Sequence, residues 1–460
     1  MIRSLLACVA QLIVSATSAV EPPAGPTLAI ENVAIIDVVK GRVTGPRTVI
    51  ITGSRISAVA DPATTDIPPA AMRVDGKARY LMPGLVDMHV HLFNNASHRP
   101  PNDWALPLFV ANGVTGVREM RANVSDLPTM ERWRGAMANR ELIAPRVIAA
   151  GVAVRGDSPD DARRAVREAA AAGAAFIKIF SEVPASHWRA ILEEAHLLTI
   201  PVCGHIPAEV SALTAAKAGQ RSNEHLTQIY EACTPNEKEF LAKRRDLGGD
   251  AVKVRDAQEE EVLQSFDATV CLETAKALAK TAQVQVPTLV LPHFETRGPR
   301  KQFRNDPRWR SLREDEQTRW ERILDAEPAE IEKLALGRWE VSRDIVKAMH
   351  RAGVRILAGT DAPMPLVYPG SSLHKELELL VESGLTPADA LRSATIGPAQ
   401  FLGLDESSGS IAVGKRADLV LLDDNPLREI KNTQLIRAVV LDGRLLQRGE
   451  LDALLAGKAK

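Results

Sequence analysis

The sequence predicts an α/β protein in which a (β/α)8 TIM barrel carries a small β-sandwich domain built from both termini. Short apolar strands alternate with longer helical stretches through the middle of the chain. Residues 28–82 and 409–449 instead consist of β-like runs separated by Gly and Pro. Because these two ends flank a different middle, we expect residues 20–82 and 405–460 to form one domain around a barrel over residues 83–404.

Composition and charge are those of an ordinary globular protein. The 460 residues are 45% hydrophobic, 25% charged and 4% aromatic, which excludes collagenous, low-complexity and wholly disordered chains. Lys and Arg number 57 against 58 Asp and Glu, a net charge of -1. This balance gives no electrostatic reason to expect nucleic acid or an anionic membrane as partner. A small-molecule substrate is the expected partner, and self-association into a homo-oligomer stays open.

The N-terminus has the pattern of a secretory signal. Arg3 precedes an apolar run at residues 5–14, and small residues follow up to Ala19. The run is too short to cross a bilayer, which needs about 20 apolar residues. We interpret residues 1–19 as an export signal, with a short buried helix as the alternative. The mature protein is then expected to be periplasmic or secreted, without membrane attachment.

Cysteine usage does not indicate a disulfide framework. Removal of the signal leaves Cys203, Cys233 and Cys271, which is an odd number. A Cys233–Cys271 bridge in an oxidising compartment and two unpaired buried thiols are both open.

Eight strand candidates support the barrel. Most are followed by Ala-rich and charged helical segments, and eight strand–helix units are what a TIM barrel requires. The candidates are residues 85–91, 114–118, 146–152, 175–180, 200–205, 222–225, 286–291 and 355–361.

Two long insertions interrupt the later strand–helix units. Residues 231–285 separate strands six and seven, and residues 293–354 separate strands seven and eight. Both are highly charged, which is compatible with solvated helices. Both also leave from the strand ends where barrel active sites lie, so a lid or a substrate wall is the competing interpretation.

The first chemical signal is a pair of histidines beside a buried lysine. His89 and His91 lie two residues apart at the end of an apolar strand, so both rings face one side and could chelate one metal. Lys178 lies within an apolar strand, where a free ammonium is costly to bury. The lysine either extends its amine to solvent or has reacted with carbon dioxide to form an anionic carbamate.

Three further strand ends carry metal-capable residues. His205 and His225 end strands five and six, and Asp361 ends strand eight. Each alone has a structural explanation, such as a hydrogen-bonded core histidine or an aspartate that caps a helix. Six such residues at the strand ends of one barrel instead indicate a metal centre.

With these residues, the sequence resembles the amidohydrolase superfamily, in its binuclear subtype with a carboxylated lysine. The branch it resembles includes metal-dependent prolidases, imidazolonepropionases and ochratoxin-cleaving amidases. The motifs that carry the resemblance are Pro-Gly-Leu-Val-Asp-Met-His-Val-His at residues 83–91, Leu-His-Lys-Glu-Leu at 373–377, the segment at 384–391 and Gly-Lys-Arg-Ala-Asp-Leu-Val at 414–420.

The resemblance implies the arrangement of two divalent metal ions. His89, His91 and Asp361 would hold the more buried ion, His205 and His225 the more exposed one, and the carbamate on Lys178 would bridge them. A hydroxide between the metals would attack the substrate carbonyl, with Asp361 moving the proton to the departing nitrogen. Histidine and carboxylate ligands suit zinc best, with manganese, cobalt or iron as alternatives.

The expected function is an exported metal-dependent amidohydrolase. Its substrate would be a dipeptide, an Xaa-Pro dipeptide or an N-acyl amino acid. A lactonase or phosphotriesterase, a deaminase and a non-catalytic binding protein are the alternatives. Cytosine-type deaminases carry a glutamate three residues after the histidine that matches His205, where this chain has Ala208.

Two residues are candidates for substrate contact. His293 follows strand seven and could orient a carbonyl or carboxylate, and Tyr230 could donate a hydrogen bond from its hydroxyl. A loop histidine without a role and a packing tyrosine are the structural alternatives. Arg118 and Glu119 are expected to pair with each other.

Overall fold

The structure is a computed structural model that describes residues 26–93, 100–296, 303–326 and 329–457. The predicted export signal at residues 1–19 lies outside the described residues. The strands are β1 (Thr27–Asp37), β2 (Arg42–Thr52), β3 (Arg55–Ala60), β4 (Met72–Asp75), β5 (Tyr80–Pro83), β6 (Leu85–Val90), β7 (Val114–Ala122), β8 (Arg146–Ala153), β9 (Phe176–Ile179), β10 (Val202–Gly204), β11 (Ser222–Glu224), β12 (Val284–Val286), β13 (Leu419–Leu422), β14 (Ile436–Leu441) and β15 (Arg444–Gln447).

Helices follow most strands of the barrel and fill both insertions. They are α1 (Leu106–Ala111), α2 (Leu127–Ala138), α3 (Pro159–Ala171), α4 (Ala185–Leu197), α5 (Ala212–Lys217), α6 (Ile229–Ala232), α7 (Glu237–Ala242), α8 (Ala251–Gln264), α9 (Ala268–Leu278), α10 (Val290–Thr296), α11 (Glu314–Ala326), α12 (Ala329–Ala352), α13 (Ser371–Glu382), α14 (Pro387–Ser393), α15 (Ile396–Phe401) and α16 (Arg448–Leu455). Among the described residues, none of these helices is both long enough and apolar enough to cross a membrane.

The two ends of the chain form one mixed sheet. Its strands follow the order β15-β14-β13-β5-β1-β2-β3, and β4 also pairs with β1. Strand β5 joins the two ends, because it pairs in parallel with β1 and antiparallel with β13. Side chains from both ends, among them Ile30, Val49, Leu419 and Val440, are buried in one apolar cluster. The expected β domain built from both termini is therefore confirmed.

The middle of the chain forms the barrel. Strands β6 to β12 are parallel and pair in sequential order. Closure comes from two isolated bridges, in which Ile356 pairs with Gln285 of β12 and Ala362 pairs with Val90 of β6. Every residue of β9 is buried, as expected for a strand covered on both faces. The predicted α/β barrel is confirmed.

Two of the eight predicted strands differ from the structure. The seventh was expected at residues 286–291, but β12 ends at Val286 because Pro287 has no amide hydrogen for the ladder, and α10 begins at Val290. The eighth was expected at residues 355–361, but this segment makes only isolated bridges.

The eighth segment departs from a strand because it approaches β6 and β12 closely. A Cβ on Gly359 would lie 2.7 Å from Val286 Cγ1 and 2.9 Å from the His89 backbone nitrogen. Asp361 then adopts a left-handed conformation, with φ at 68°. This backbone turns the Asp361 carboxylate toward the histidines of β6.

The insertions are helical and packed against each other. Helix α12 of the second insertion contacts α6, α8 and α9 of the first. Cys233, after α6, and Cys271, in α9, form a disulfide, whereas Cys203 is a buried free thiol. The bridge therefore joins the end of α6 to α9 within the first insertion.

Candidate metal centre

Six predicted ligands come from strand ends at one rim of the barrel. The carboxyl ends of parallel barrel strands meet at the same rim, so residues far apart in sequence converge there. These residues are His89 and His91 at the end of β6, Lys178 in β9, His205 directly after β10, His225 directly after β11 and Asp361 in the eighth segment.

The distances define a compact cluster around Asp361. Single donor atoms of His89, His91 and Asp361 all lie within 4.8 Å of one another. Oδ1 of Asp361 is 3.0 Å from Nε2 of His89 and 2.7 Å from Nε2 of His91. Nε2 of His225 is 3.9 Å from the same oxygen. The ring centroids of His205 and His225 are 5.0 Å apart, so the structure brings all four histidines together with the aspartate.

Hydrogen bonds to outer partners fix the orientation of the rings. Nδ1 of His225 lies 2.7 Å from Oγ1 of Thr288, and that hydroxyl donates to the Pro287 carbonyl oxygen at 2.7 Å. The hydroxyl therefore accepts a hydrogen from Nδ1, which leaves the lone pair on Nε2. Nδ1 of His205 lies 3.3 Å from the Ser181 hydroxyl. Such outer contacts hold histidine ligands ready for a metal.

Sequence reasoning missed the partner of His89. Nδ1 of His89 donates to Oε2 of Glu224 at 2.9 Å, and Arg118 binds both oxygens of Glu224 at 2.9 Å. The pKa of Glu224 is lowered, because Arg118 and His89 outweigh the opposing effect of burial. The expected Arg118–Glu119 pair is wrong: the carboxylate of Glu119 accepts backbone hydrogens instead. The sequence did contain one signal for this partner: the charged residue Glu224 directly precedes the predicted ligand His225.

Lys178 is fully buried, and its Nζ has no hydrogen-bond partner among the described residues. The side chain does not reach solvent, so the snorkelling alternative is wrong. Burial lowers the pKa of Lys178 to about 8, against the opposing charges of Glu224 and Asp361. A lowered pKa increases the neutral amine, which is the form that reacts with carbon dioxide.

The surroundings shift the pKa values of His205, His225 and Asp361 downward. Burial lowers the pKa of His225 to about 3 and that of His205 well below its usual value. Burial alone would raise the pKa of Asp361, but His91, His225 and His89 hold it well below its usual range. Neutral imidazoles and a carboxylate are the forms that bind metals.

Unsatisfied polar atoms test whether the cluster fits a metal. Nε2 of His89, Oδ1 of Asp361 and Nζ of Lys178 are buried and have no hydrogen bond among the described residues. Buried polar groups normally find partners, and these three belong to the predicted ligand set. The donor set of imidazole and carboxylate matches zinc and similar ions. The residues present therefore fit a bound cation.

A cleft of about 700 Å³ opens beside His205 and His225. Residues of α8, α10 and α12 line it as well, so both insertions border the cleft. This agrees with the substrate-wall interpretation of the insertions. The wall contains apolar side chains, including Leu263, Leu291 and Leu334.

The two predicted substrate contacts differ in position. Tyr230 lines the cleft, and its hydroxyl lies 2.8 Å from Oγ of Ser342. Burial raises the pKa of Tyr230 to about 12. His293 lies within α10, is 4% exposed and packs against Trp339. It is not among the described residues that line the cleft, so a substrate role for it stays a prediction without support from its position.

The fold and the cluster define a class: barrels that hold a metal at the carboxyl ends of their strands. Residues 315–446 match the model of the amidohydrolase family. Over these residues the match confirms the resemblance to the amidohydrolase superfamily that was found in the sequence.

Individual relatives match part of the chain, and solved structures match most of its fold. Adenine deaminase of Clostridium botulinum (strain ATCC 19397 / Type A) is 30% identical over 112 residues, 24% of this chain and 18% of that enzyme. The match thus spans less than a fifth of the relative's length. A bottromycin amidohydrolase structure has a TM-score of 0.69 at 23% identity, covering 94% of this chain and 90% of its own. A Xaa-Pro dipeptidase with bound methionine has a TM-score of 0.63 at 20% identity, covering 92% and 100%. These two structures share the fold.

Proposed function

We propose that the protein is a metal-dependent hydrolase that cleaves an amide or peptide C–N bond of a small substrate. One observation carries the proposal: His89, His91 and Asp361 present donor atoms within 4.8 Å of one another, at the rim of a barrel and beside a cleft. Dipeptides, Xaa-Pro dipeptides and N-acyl amino acids are the proposed substrates. The family match and the dipeptidase among the structural neighbours support this class.

Two divalent ions, with zinc as the favoured element, are part of the proposal. His89, His91 and Asp361 would hold one ion, His205 and His225 the other, and Lys178 would contribute as a carbamate. Bound divalent cations lower the pKa of water and polarise a carbonyl oxygen. The buried, unpartnered Nζ of Lys178 supports the carbamate, since the modified group is anionic and would gain partners in the cluster.

The chain's own residues would then position the substrate and move the proton. The Asp361 carboxylate lies at the centre of the cluster and is 8% exposed, so in the proposed mechanism it would accept a proton from the attacking water and deliver it to the departing nitrogen. The Tyr230 side chain, held by Ser342, forms part of the wall against which the substrate would lie. The insertion helices would limit the access of water to the reacting bond.

Export is a separate proposal. The charged residue, apolar run and small residues at positions 1–19 support it, and so does the Cys233–Cys271 disulfide, because such bonds persist in oxidising compartments. Fractionation of cells that express the full chain, with mass measurement of the mature N-terminus, tests this. An intact N-terminus in the cytoplasm would contradict it.

Metal analysis and a substrate panel test the hydrolase proposal. We expect about two equivalents of metal after reconstitution with zinc and bicarbonate, and turnover of at least one dipeptide or N-acyl amino acid. His225→Ala should abolish turnover, whereas His196→Ala, at an exposed position on α4, should not. Absence of bound metal would instead support a non-catalytic binding protein.

The same panel separates the other reactions. Lactones and phosphotriesters belong in the panel, and so does adenine, since the Clostridium botulinum relative is an adenine deaminase. If the protein turned over only one of these compounds, the proposed amide substrate would be wrong, but the proposed metal centre would still stand.

A further inference from the structure

A fully buried arginine crosses the interior of the barrel. Arg118 belongs to β7, and its guanidinium reaches Glu224 of β11, a strand that is not a neighbour of β7 in the sheet. Barrel interiors are filled mainly by branched apolar side chains, and burial of an arginine is costly unless its charge and its donors find partners. Apolar packing therefore does not explain why an arginine occupies this position.

The three nitrogens of the guanidinium bind three different residues. Nε donates to the Met88 carbonyl oxygen at 2.6 Å, and Nη1 donates to the Ser222 hydroxyl at 3.2 Å. Nη2 lies 2.9 Å from each carboxylate oxygen of Glu224, and the Ser222 hydroxyl donates to the same carboxylate. Charge-assisted hydrogen bonds of this kind hold the carboxylate of Glu224 in one orientation.

Aromatic rings also restrain the guanidinium. Its central carbon is 5.6 Å from the ring centroid of Phe176 in β9 and 5.6 Å from that of Phe401 at the end of α15. Aromatic rings at this distance attract a cation. The Arg118 side chain is thus fixed by packing as well as by hydrogen bonds.

Two of the residues that Arg118 binds lie directly beside predicted ligands. Met88 precedes His89 at the end of β6, and Glu224 precedes His225 at the end of β11. Glu224 also accepts the Nδ1 hydrogen of His89 at 2.9 Å. The ring centroids of the two histidines are 4.5 Å apart. Arg118 therefore connects the two strand ends from which these rings project.

Resting on the proposed function, we propose that Arg118 is a positioning residue of the metal centre. It sets the spacing and the orientation of His89 and His225, and it thereby raises the affinity of the protein for its metal ions. A lysine would keep the positive charge, but its single nitrogen cannot hold three separated partners. The effect thus depends on the planar guanidinium and not on charge alone.

Zinc affinity, measured by chelator competition on the full chain, tests this role. Arg118→Lys and Arg118→Met should each raise the dissociation constant for zinc about 10- to 100-fold, the usual effect of removing an outer partner of a metal ligand. Arg244→Met is the matched control, because Arg244 is also fully buried and is paired with Glu231 at 2.8 Å. The control should keep the zinc affinity of the wild type. If Arg118→Met unfolds because Glu224 loses its cation, Arg118→Lys supplies the test.

A measurement on the metal-free protein separates positioning from stability. In protein labelled with 15N-histidine, the buried Nδ1 hydrogen of His89 should give a slowly exchanging NMR signal, because it is bonded to a carboxylate. Its absence in His89→Gln assigns the signal. Arg118→Lys should shift or broaden it, whereas Arg244→Met should leave it unchanged.

The outcomes distinguish this inference from the proposed function. If the wild type bound no zinc, the hydrolase proposal itself would be wrong. Wild-type zinc affinity in Arg118→Lys, alone or together with Arg118→Met, would overturn the role of the guanidinium geometry and leave the hydrolase proposal standing. An equal loss of affinity in Arg244→Met would also overturn it, because the loss would then follow from breaking any buried ion pair.

Discussion

Glu376 of α13 predicts how the stability of the protein depends on pH. The side chain is fully buried; Oε2 accepts the Val290 amide hydrogen at 2.9 Å, and Oε1 has no partner among the described residues. Burial raises the pKa of Glu376 from 4.5 to about 8, against the opposing hydrogen bonds from Leu289 and Val290. The folded state therefore retains a proton that the unfolded state releases. The stability that Glu376 contributes is complete below pH 4.5 and is lost as the pH rises through 8.

The magnitude follows from the two pKa values. At about 1.4 kcal/mol per pH unit, the step from 4.5 to about 8 corresponds to about 5 kcal/mol in all, and on the order of 3 kcal/mol between pH 5 and pH 8. Glu376→Gln cannot ionise but keeps an oxygen for the Val290 amide. We expect the variant to gain stability relative to the wild type by that amount from pH 5 to pH 8.

Urea unfolding, followed by tryptophan fluorescence at constant metal concentration, measures this difference. Glu382→Gln is the control, since Glu382 ends the same helix and its side chain is 50% exposed. The control should follow the wild type at every pH. Parallel stability curves for Glu376→Gln and the wild type would refute the reasoning, because they would mean that Glu376 ionises normally in the folded protein.

Three further predictions concern the metal centre and the insertions. Lys178→Ala and Asp361→Asn should each lower turnover by several orders of magnitude, and a short-chain carboxylic acid should partly restore the Lys178 variant; near-native turnover by that variant without the acid would contradict the bridging role. Glu224→Gln should weaken zinc binding about 10- to 100-fold in competition with a chelator, because His89 loses its ionised partner; unchanged affinity would contradict that positioning role. Cys271→Ala should lower the free energy of unfolding by about 4 kcal/mol, since the disulfide closes a separation of 38 residues; equal stability would show that the bridge does not constrain the unfolded chain.

The fold was predictable wherever local pattern and tertiary environment agree. Strands β6 to β11 coincide with the first six predicted strands, although the observed bounds differ by a few residues. The predicted bounds of the seventh strand were too far along the chain, because the apolar run continues past Pro287 into helix α10. Apolarity alone does not distinguish a short buried strand from a buried helix. The eighth segment was predicted as a regular strand. Its irregular backbone follows from close contacts of Gly359 with His89 and Val286, which are distant in the sequence.

The ligand positions were predictable because strand ends converge in a barrel, but their partners were not. Glu224 and His89 are 135 residues apart, and Thr288 and His225 are 63 apart. No sequence periodicity connects residues so far apart. Arg118 was expected to pair with its neighbour Glu119, but it binds Glu224 instead. The lining of the cleft likewise depends on how α8, α10 and α12 pack, which the sequence pattern does not specify.

The join between the two ends of the chain has a consequence for biosynthesis. In the β5–β13 pairing, Leu81 lies opposite Leu421. The N-terminal strands of this sheet therefore cannot complete their pairing until the ribosome has synthesised nearly the whole chain. Contacts of such long range form slowly, and apolar strand edges stay uncovered meanwhile. We therefore expect newly synthesised chains to require a chaperone that binds these apolar edges until the C-terminal strands have been made.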